Sequence, residues 1–141
     1  MASLERFAAS AQRAVRLRGE VAILITSSAS IRRLNRDFRG KDKPTDVLSF
    51  PANAKGLAGD IAISSQIASR QAKTFGHTLA TELKVLILHG MIHLAGHDHE
   101  SDDGEMAALE TRLRAKLKLP QSLIERSTAA APKKVVRRSS R

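Results

Sequence analysis

His89-Gly90-Met91-Ile92-His93-Leu94-Ala95-Gly96-His97-Asp98-His99 is the stretch on which the reading of this chain turns. Residues four apart on a helix share a face and lie roughly 6 Å apart along the axis, so His89 and His93 can chelate one ion from adjacent turns. Gly96 can take the left-handed conformation that ends a helix, which brings His99 back over the same point. Three neutral imidazoles with one open position describe a catalytic zinc site, whereas a structural site closes with a fourth protein ligand. The pattern predicts one zinc ion per chain on His89, His93 and His99, and hydrolytic chemistry. Four of the five histidines lie within these eleven residues, which argues against independent packing roles.

His97 stands two residues before His99 and reads as a group behind the ligands, with a fourth ligand or a surface residue as the alternatives. Asp98 can orient a ligating imidazole by accepting its other N–H, or can stand in water in an acidic turn. The metzincin peptidases share this ligand spacing but carry a general-base glutamate directly after the first histidine. Here that position is Gly90, which has no side chain to take a proton, so the usual peptidase mechanism lacks its base. Metal-bound hydroxide, His97 and the 2′-hydroxyl of an RNA substrate stay open as replacements.

The helix carrying the motif follows from its apolar residues. Leu79, Leu83, Leu86, Ile87 and Leu94 wrap much of its circumference, which predicts a buried central helix capped by Thr78. Upstream, Leu4, Phe7, Ala8, Ala11 and Val15 recur at helical steps. Val21 to Ile25, Val47 to Phe50 and Asp60 to Ile63 read as short strands, the second ended by Pro51, with a loop running to Gly59. Ser28 or Ser30 caps a short helix carrying Ile31 and Leu34. Ser64 or Ser65 starts another that runs to Gly76, and Met106, Leu109, Leu113 and Leu117 mark a last helix stopped by Pro120. Helices interspersed with three or four short strands indicate an α+β fold, a single domain with a small mixed sheet packed around the central metal-ligand helix.

Length and charge bound the rest. The 141 residues suit one domain, residues 1–125, followed by a basic tail, 126–141. The net charge is +10, and the tail takes six of these charges (Arg126, Lys133, Lys134, Arg137, Arg138, Arg141) with no acid, leaving +4 for the remainder. Its lack of apolar period predicts disorder, with a polyanion tether and a solvated terminus as equal alternatives. All four aromatics are Phe, too few for a surface that stacks successive bases. With no cysteine, thiolate ligands and disulfides are excluded, which suits a reducing cytoplasm. The chain has neither the apolar core of a signal peptide nor a run of transmembrane length, so no membrane association is expected. Glu100, Asp102, Asp103 and Glu105 form an acidic stretch that suits a helix's first turn better than a ligand set.

Three blocks in order carry a resemblance: Leu34-Asn35-Arg36-Asp37-Phe38-Arg39-Gly40-Lys41-Asp42-Lys43-Pro44-Thr45-Asp46-Val47-Leu48-Ser49-Phe50-Pro51, then Gly59-Asp60-Ile61-Ala62-Ile63-Ser64, then the histidine motif with Glu105-Met106 and Glu110. Over roughly residues 20 to 118 the chain resembles the YbeY family of bacterial endoribonucleases and ribosomal RNA maturation factors. The resemblance implies a zincin-like fold and zinc on His89, His93 and His99. It also implies single-strand-specific cleavage of RNA in the maturation of small-subunit (16S) ribosomal RNA, with the small ribosomal subunit or its precursors as partner. Arg39 matches the family's functionally important arginine. A guanidinium there can offset charge on a phosphorane-like transition state, the competing role being a salt bridge to Asp42 or Asp46. The family more often carries tyrosine at position 97, which sets His97 outside the implied ligand set, and the basic tail is no part of its pattern. A zincin-type metallopeptidase and a non-catalytic ribosome-associated binding factor are the competing readings.

Overall fold

A computed structural model of the chain describes residues 2–52, 54–96 and 104–120. His97, Asp98, His99, the acids at 100, 102 and 103, and the segment 126–141 lie outside the described residues. The described part holds eight elements: α1 (Ala2–Val15), β1 (Glu20–Thr26), α2 (Ser28–Arg39), β2 (Val47–Pro51), β3 (Leu57–Ser64), α3 (Ser65–Phe75), α4 (Leu79–Leu94) and α5 (Glu105–Lys116). The three strands form one mixed sheet in the order β1-β3-β2, with β1 parallel to β3 and β2 antiparallel to it. The fold is α+β, as the interspersed apolar periods indicate.

Central β3 separates two cores because alternate residues of a strand face opposite sides. Ile61 and Ile63 join Val47 and the apolar residues of α4 on one face, where Leu4 and Ala11 of α1 and Met106 and Leu113 of α5 also pack. Ala62 joins Leu48 and Ile31 of α2 on the other. Helix α4 is buried over most of its length, from Glu82 to Ile92 with little interruption. A helix that is apolar nearly all round can be stable only at the centre of the packing, which is where α4 lies.

Local details correct three boundaries. The cap of α2 is Ser27, whose side chain accepts from the Ser30 backbone N–H, in place of Ser28 or Ser30. Serine fits all three positions chemically, and only Ser27 has the extended backbone of a cap. Strand β3 begins at Leu57, so the segment before Asp60 is strand and not loop. Gly59 pairs there with Pro51 at φ 149°, and a β-carbon at Gly59 would collide with the Phe50 carbonyl. The glycine thus permits close pairing where it suggested a break. Pro51 itself belongs to β2, tolerated because β2 is an edge strand. The caps Ser64 and Thr78 form as expected, each accepting a backbone N–H three residues on.

Candidate metal centre

The i, i+4 spacing on α4 brings the two histidine rings together. Their centroids are 4.6 Å apart at 75°, and His89 Nε2 and His93 Nε2 stand 3.1 Å from each other. Two nitrogens bound to one tetrahedral zinc at about 2.0–2.1 Å would be separated by roughly 3.3 Å, so the pair is already spaced for one ion. Beyond them α4 ends at Leu94, and Gly96 takes φ 103° with its N–H on the His93 carbonyl at 2.9 Å. The left-handed turn expected at Gly96 is therefore present; the third predicted ligand, His99, follows it outside the described residues, with His97 and Asp98.

Behind the pair lies a residue to which no role was assigned from the sequence. Glu110 of α5 is 1% exposed and holds both carboxylate oxygens 3.3 Å from Nδ1 of His89, itself 1% exposed. A carboxylate at Nδ1 favours the tautomer with the proton on Nδ1, which leaves the Nε2 lone pair free toward a metal. The donor chemistry thus fits zinc: two convergent imidazole nitrogens, one of them oriented by a buried carboxylate. The sequence carried a signal for Glu110, because an acid interrupts the apolar face Met106, Leu113 and Leu117 at helical spacing.

Gly90 packs α4 against the sheet. A β-carbon built there would stand 3.0 Å from two side-chain atoms of Ile61, and Ile61 is fully buried. Position 90 faces the sheet, so a glutamate there would have to push aside the buried Ile61 side chain.

Arg39 ends α2, and Gly40 closes the helix at φ 71°. Its Nη1 donates to the Ser49 carbonyl at 3.4 Å, and Ser49 Oγ donates to the Gly90 carbonyl at 3.2 Å. Arg39 is thereby tied through one buried serine to the residue beside His89. Both acids considered as its salt-bridge partners have other described partners. Asp42 accepts from Arg32 Nε at 2.7 Å, a hydrogen bond that holds its carboxyl below the usual carboxylate range. Asp46 accepts the Val47 N–H at 2.8 Å and the Gln71 amide at 3.3 Å. The loop between α2 and β2 is anchored further by the buried Asn35, whose Nδ2 donates to the Lys43 carbonyl at 2.9 Å.

A cavity of about 590 Å³ lies elsewhere, between α1, β1 and α4, lined by Leu4, Ile23, Ile25, Ile87 and Met91 among others. Its mostly apolar wall includes neither histidine and offers no comparable donor set. No helix among the described residues is long and apolar enough to cross a membrane.

Comparison with known proteins gives the chain a family. The family model described as Endoribonuclease YbeY matches residues 2–118. The chain belongs to the YbeY family. Endoribonuclease YbeY of Koribacter versatilis is 61% identical over 136 residues, covering 96% of this chain and 90% of the relative. That of Solibacter usitatus is 56% identical over 124 residues, covering 88% and 84%. A Thermotoga maritima protein solved in solution is 32% identical and superposes with a TM-score of 0.58, covering 81% of this chain and 80% of its own.

Proposed function

We propose that this YbeY-family chain is a zinc-dependent endoribonuclease that cleaves single-stranded RNA in the maturation of small-subunit (16S) ribosomal RNA, acting in the cytoplasm on the small subunit or its precursors. The observation that carries the chemistry is the convergence of His89 Nε2 and His93 Nε2 at 3.1 Å with the Glu110 carboxylate behind His89. The names carried by the relatives supply the substrate class. His89, His93 and His99 would hold one zinc ion in a zincin-like arrangement, with His97 and Asp98 beside them. When bound, zinc supplies a Lewis acid that lowers the pKa of water to about 7 and polarises a phosphoryl oxygen.

The chain's own groups do the remainder. Glu110 keeps His89 in its binding tautomer, and Arg39 sets a planar cation against phosphate charge. Ser49 keeps Arg39 in register with α4 through its two hydrogen bonds. Residues 1–125 form the catalytic domain, and 126–141 are a basic tether for RNA.

Incubation with single-stranded ribosomal RNA, duplex RNA and casein, with and without chelator, tests the reading. Cleavage confined to single-stranded RNA, lost with chelator and restored by zinc, is expected. Casein cleavage would support a peptidase. Tight binding of ribosomal RNA with no cleavage under any metal would support a non-catalytic factor.

A further inference from the structure

We propose that Phe38 is a stacking platform for one unpaired base of single-stranded RNA, an inference that rests on the RNA reading above and adds a base contact to it. Phe38 is 70% exposed, more than Leu24, Leu57 or Leu79, the other exposed large apolar side chains among the described residues. Its ring meets Phe50 of β2 at 5.8 Å and 66°, an edge-on contact that steadies it while most of its surface faces water.

The surroundings favour a nucleic acid over a protein as occupant. Residues 32–43 carry Arg32, Arg33, Arg36, Arg39, Lys41 and Lys43 against only Asp37 and Asp42. Both acids are engaged, Asp42 by Arg32 and Asp37 by Arg36. A protein-docking core is depleted of charge around its aromatic anchors, whereas an aromatic among cations is the composition of a single-strand groove, where backbone phosphates and base faces are bound side by side.

Position strengthens the assignment. Phe38 directly precedes Arg39, and its ring partner Phe50 directly follows Ser49. Ser49 in turn accepts from Arg39 and donates to Gly90 beside His89. A strand whose phosphate met Arg39 would have a neighbouring base within reach of the Phe38 ring. Cations alone bind duplex and single strand alike, but a duplex keeps its base faces stacked internally, so Phe38 gives the site a means of preferring unpaired RNA. A single exposed ring accommodates one base, consistent with a chain too poor in aromatics to stack several.

The test compares the zinc-loaded wild type with Phe38→Leu and Phe38→Trp on a single-stranded RNA oligomer containing 2-aminopurine and on a duplex, over a salt series. Phe38→Leu should bind the single strand about tenfold more weakly, the scale of losing one base–aromatic stack. It should quench 2-aminopurine less, keep its affinity for duplex and keep its thermal midpoint. The slope of log affinity against log salt should not change, because no phosphate contact is removed. Phe38→Trp should restore binding. Wild-type affinity in Phe38→Leu, or an equal loss on duplex, would overturn the proposal and leave the RNA reading standing. Altered self-association in Phe38→Leu without a change in RNA binding would overturn it in favour of an interface between copies. Absence of any single-strand binding by the wild type would remove both.

Discussion

Glu110 and His89, from helices α5 and α4, are each 1% exposed and meet carboxylate to imidazole at 3.3 Å through both oxygens. Removing a carboxylate that orients a metal-binding histidine typically lowers metal affinity 10- to 100-fold. Glu110→Gln, which keeps the volume and a hydrogen-bonding oxygen, should weaken zinc binding on about that scale while preserving the fold. Competition with a chromophoric chelator checks this, and unchanged affinity would reduce Glu110 to a structural partner.

Arg39 is tied to α4 through Ser49 and is not among the proposed ligands, so its removal should spare the metal. Arg39→Ala is expected to lose most RNA cleavage with zinc content and thermal midpoint intact. Arg39→Lys should recover little, because an ammonium cannot reproduce a planar two-pronged contact. Single-turnover cleavage with metal analysis on the same samples decides the matter; full activity in either variant would remove Arg39 from the chemistry.

Gly90 should resist enlargement. Gly90→Ala gains helix propensity of about 1 kcal/mol but forces a methyl against Ile61, and overpacking of this kind costs about 1–3 kcal/mol. The net expectation is destabilisation of about 0–2 kcal/mol in denaturant unfolding. In an Ile61→Val background, where there is more room, the same substitution should cost less. Strict additivity of the two changes would show that the α4–β3 contact is not what keeps position 90 small.

The parts of the fold legible in the sequence were those set by local periodicity. The apolar circumference of α4 announced a central helix, and the four-residue histidine spacing placed two imidazoles on one face. Where tertiary contact decides, the sequence was silent or misleading. Gly59 read as loop because glycine usually breaks strands, yet it lies in β3 where the strands approach too closely for a β-carbon. Glu110 went without a role because its partner is 21 residues away on another helix. Gly90 read as a missing base, while its contact with Ile61 could be seen only once α4 was set on the sheet. Ser49 shows the same limit: an unremarkable strand serine becomes a link between Arg39 and α4 only after folding.

The basic segment after residue 125 should act at a distance from the chemistry. Deleting residues after Ser127 should weaken RNA binding and flatten its salt dependence, because fewer phosphates are neutralised and fewer counterions released. Turnover at saturating RNA should be nearly preserved, since uniform binding energy changes affinity more than the chemical step. Superimposable salt series for full-length and truncated protein would make the tail a solvated terminus.

The central claim is that the convergent histidines of α4 hold the ion on which RNA cleavage depends. The most direct measurement is zinc stoichiometry by elemental analysis, alongside cleavage of single-stranded ribosomal RNA, for wild type and His93→Ala. The account predicts about one zinc per wild-type chain, with metal and cleavage lost together in His93→Ala while the fold is retained, because two remaining imidazoles bind weakly. A stoichiometric metal surviving in His93→Ala, or full cleavage by metal-free protein, would contradict it.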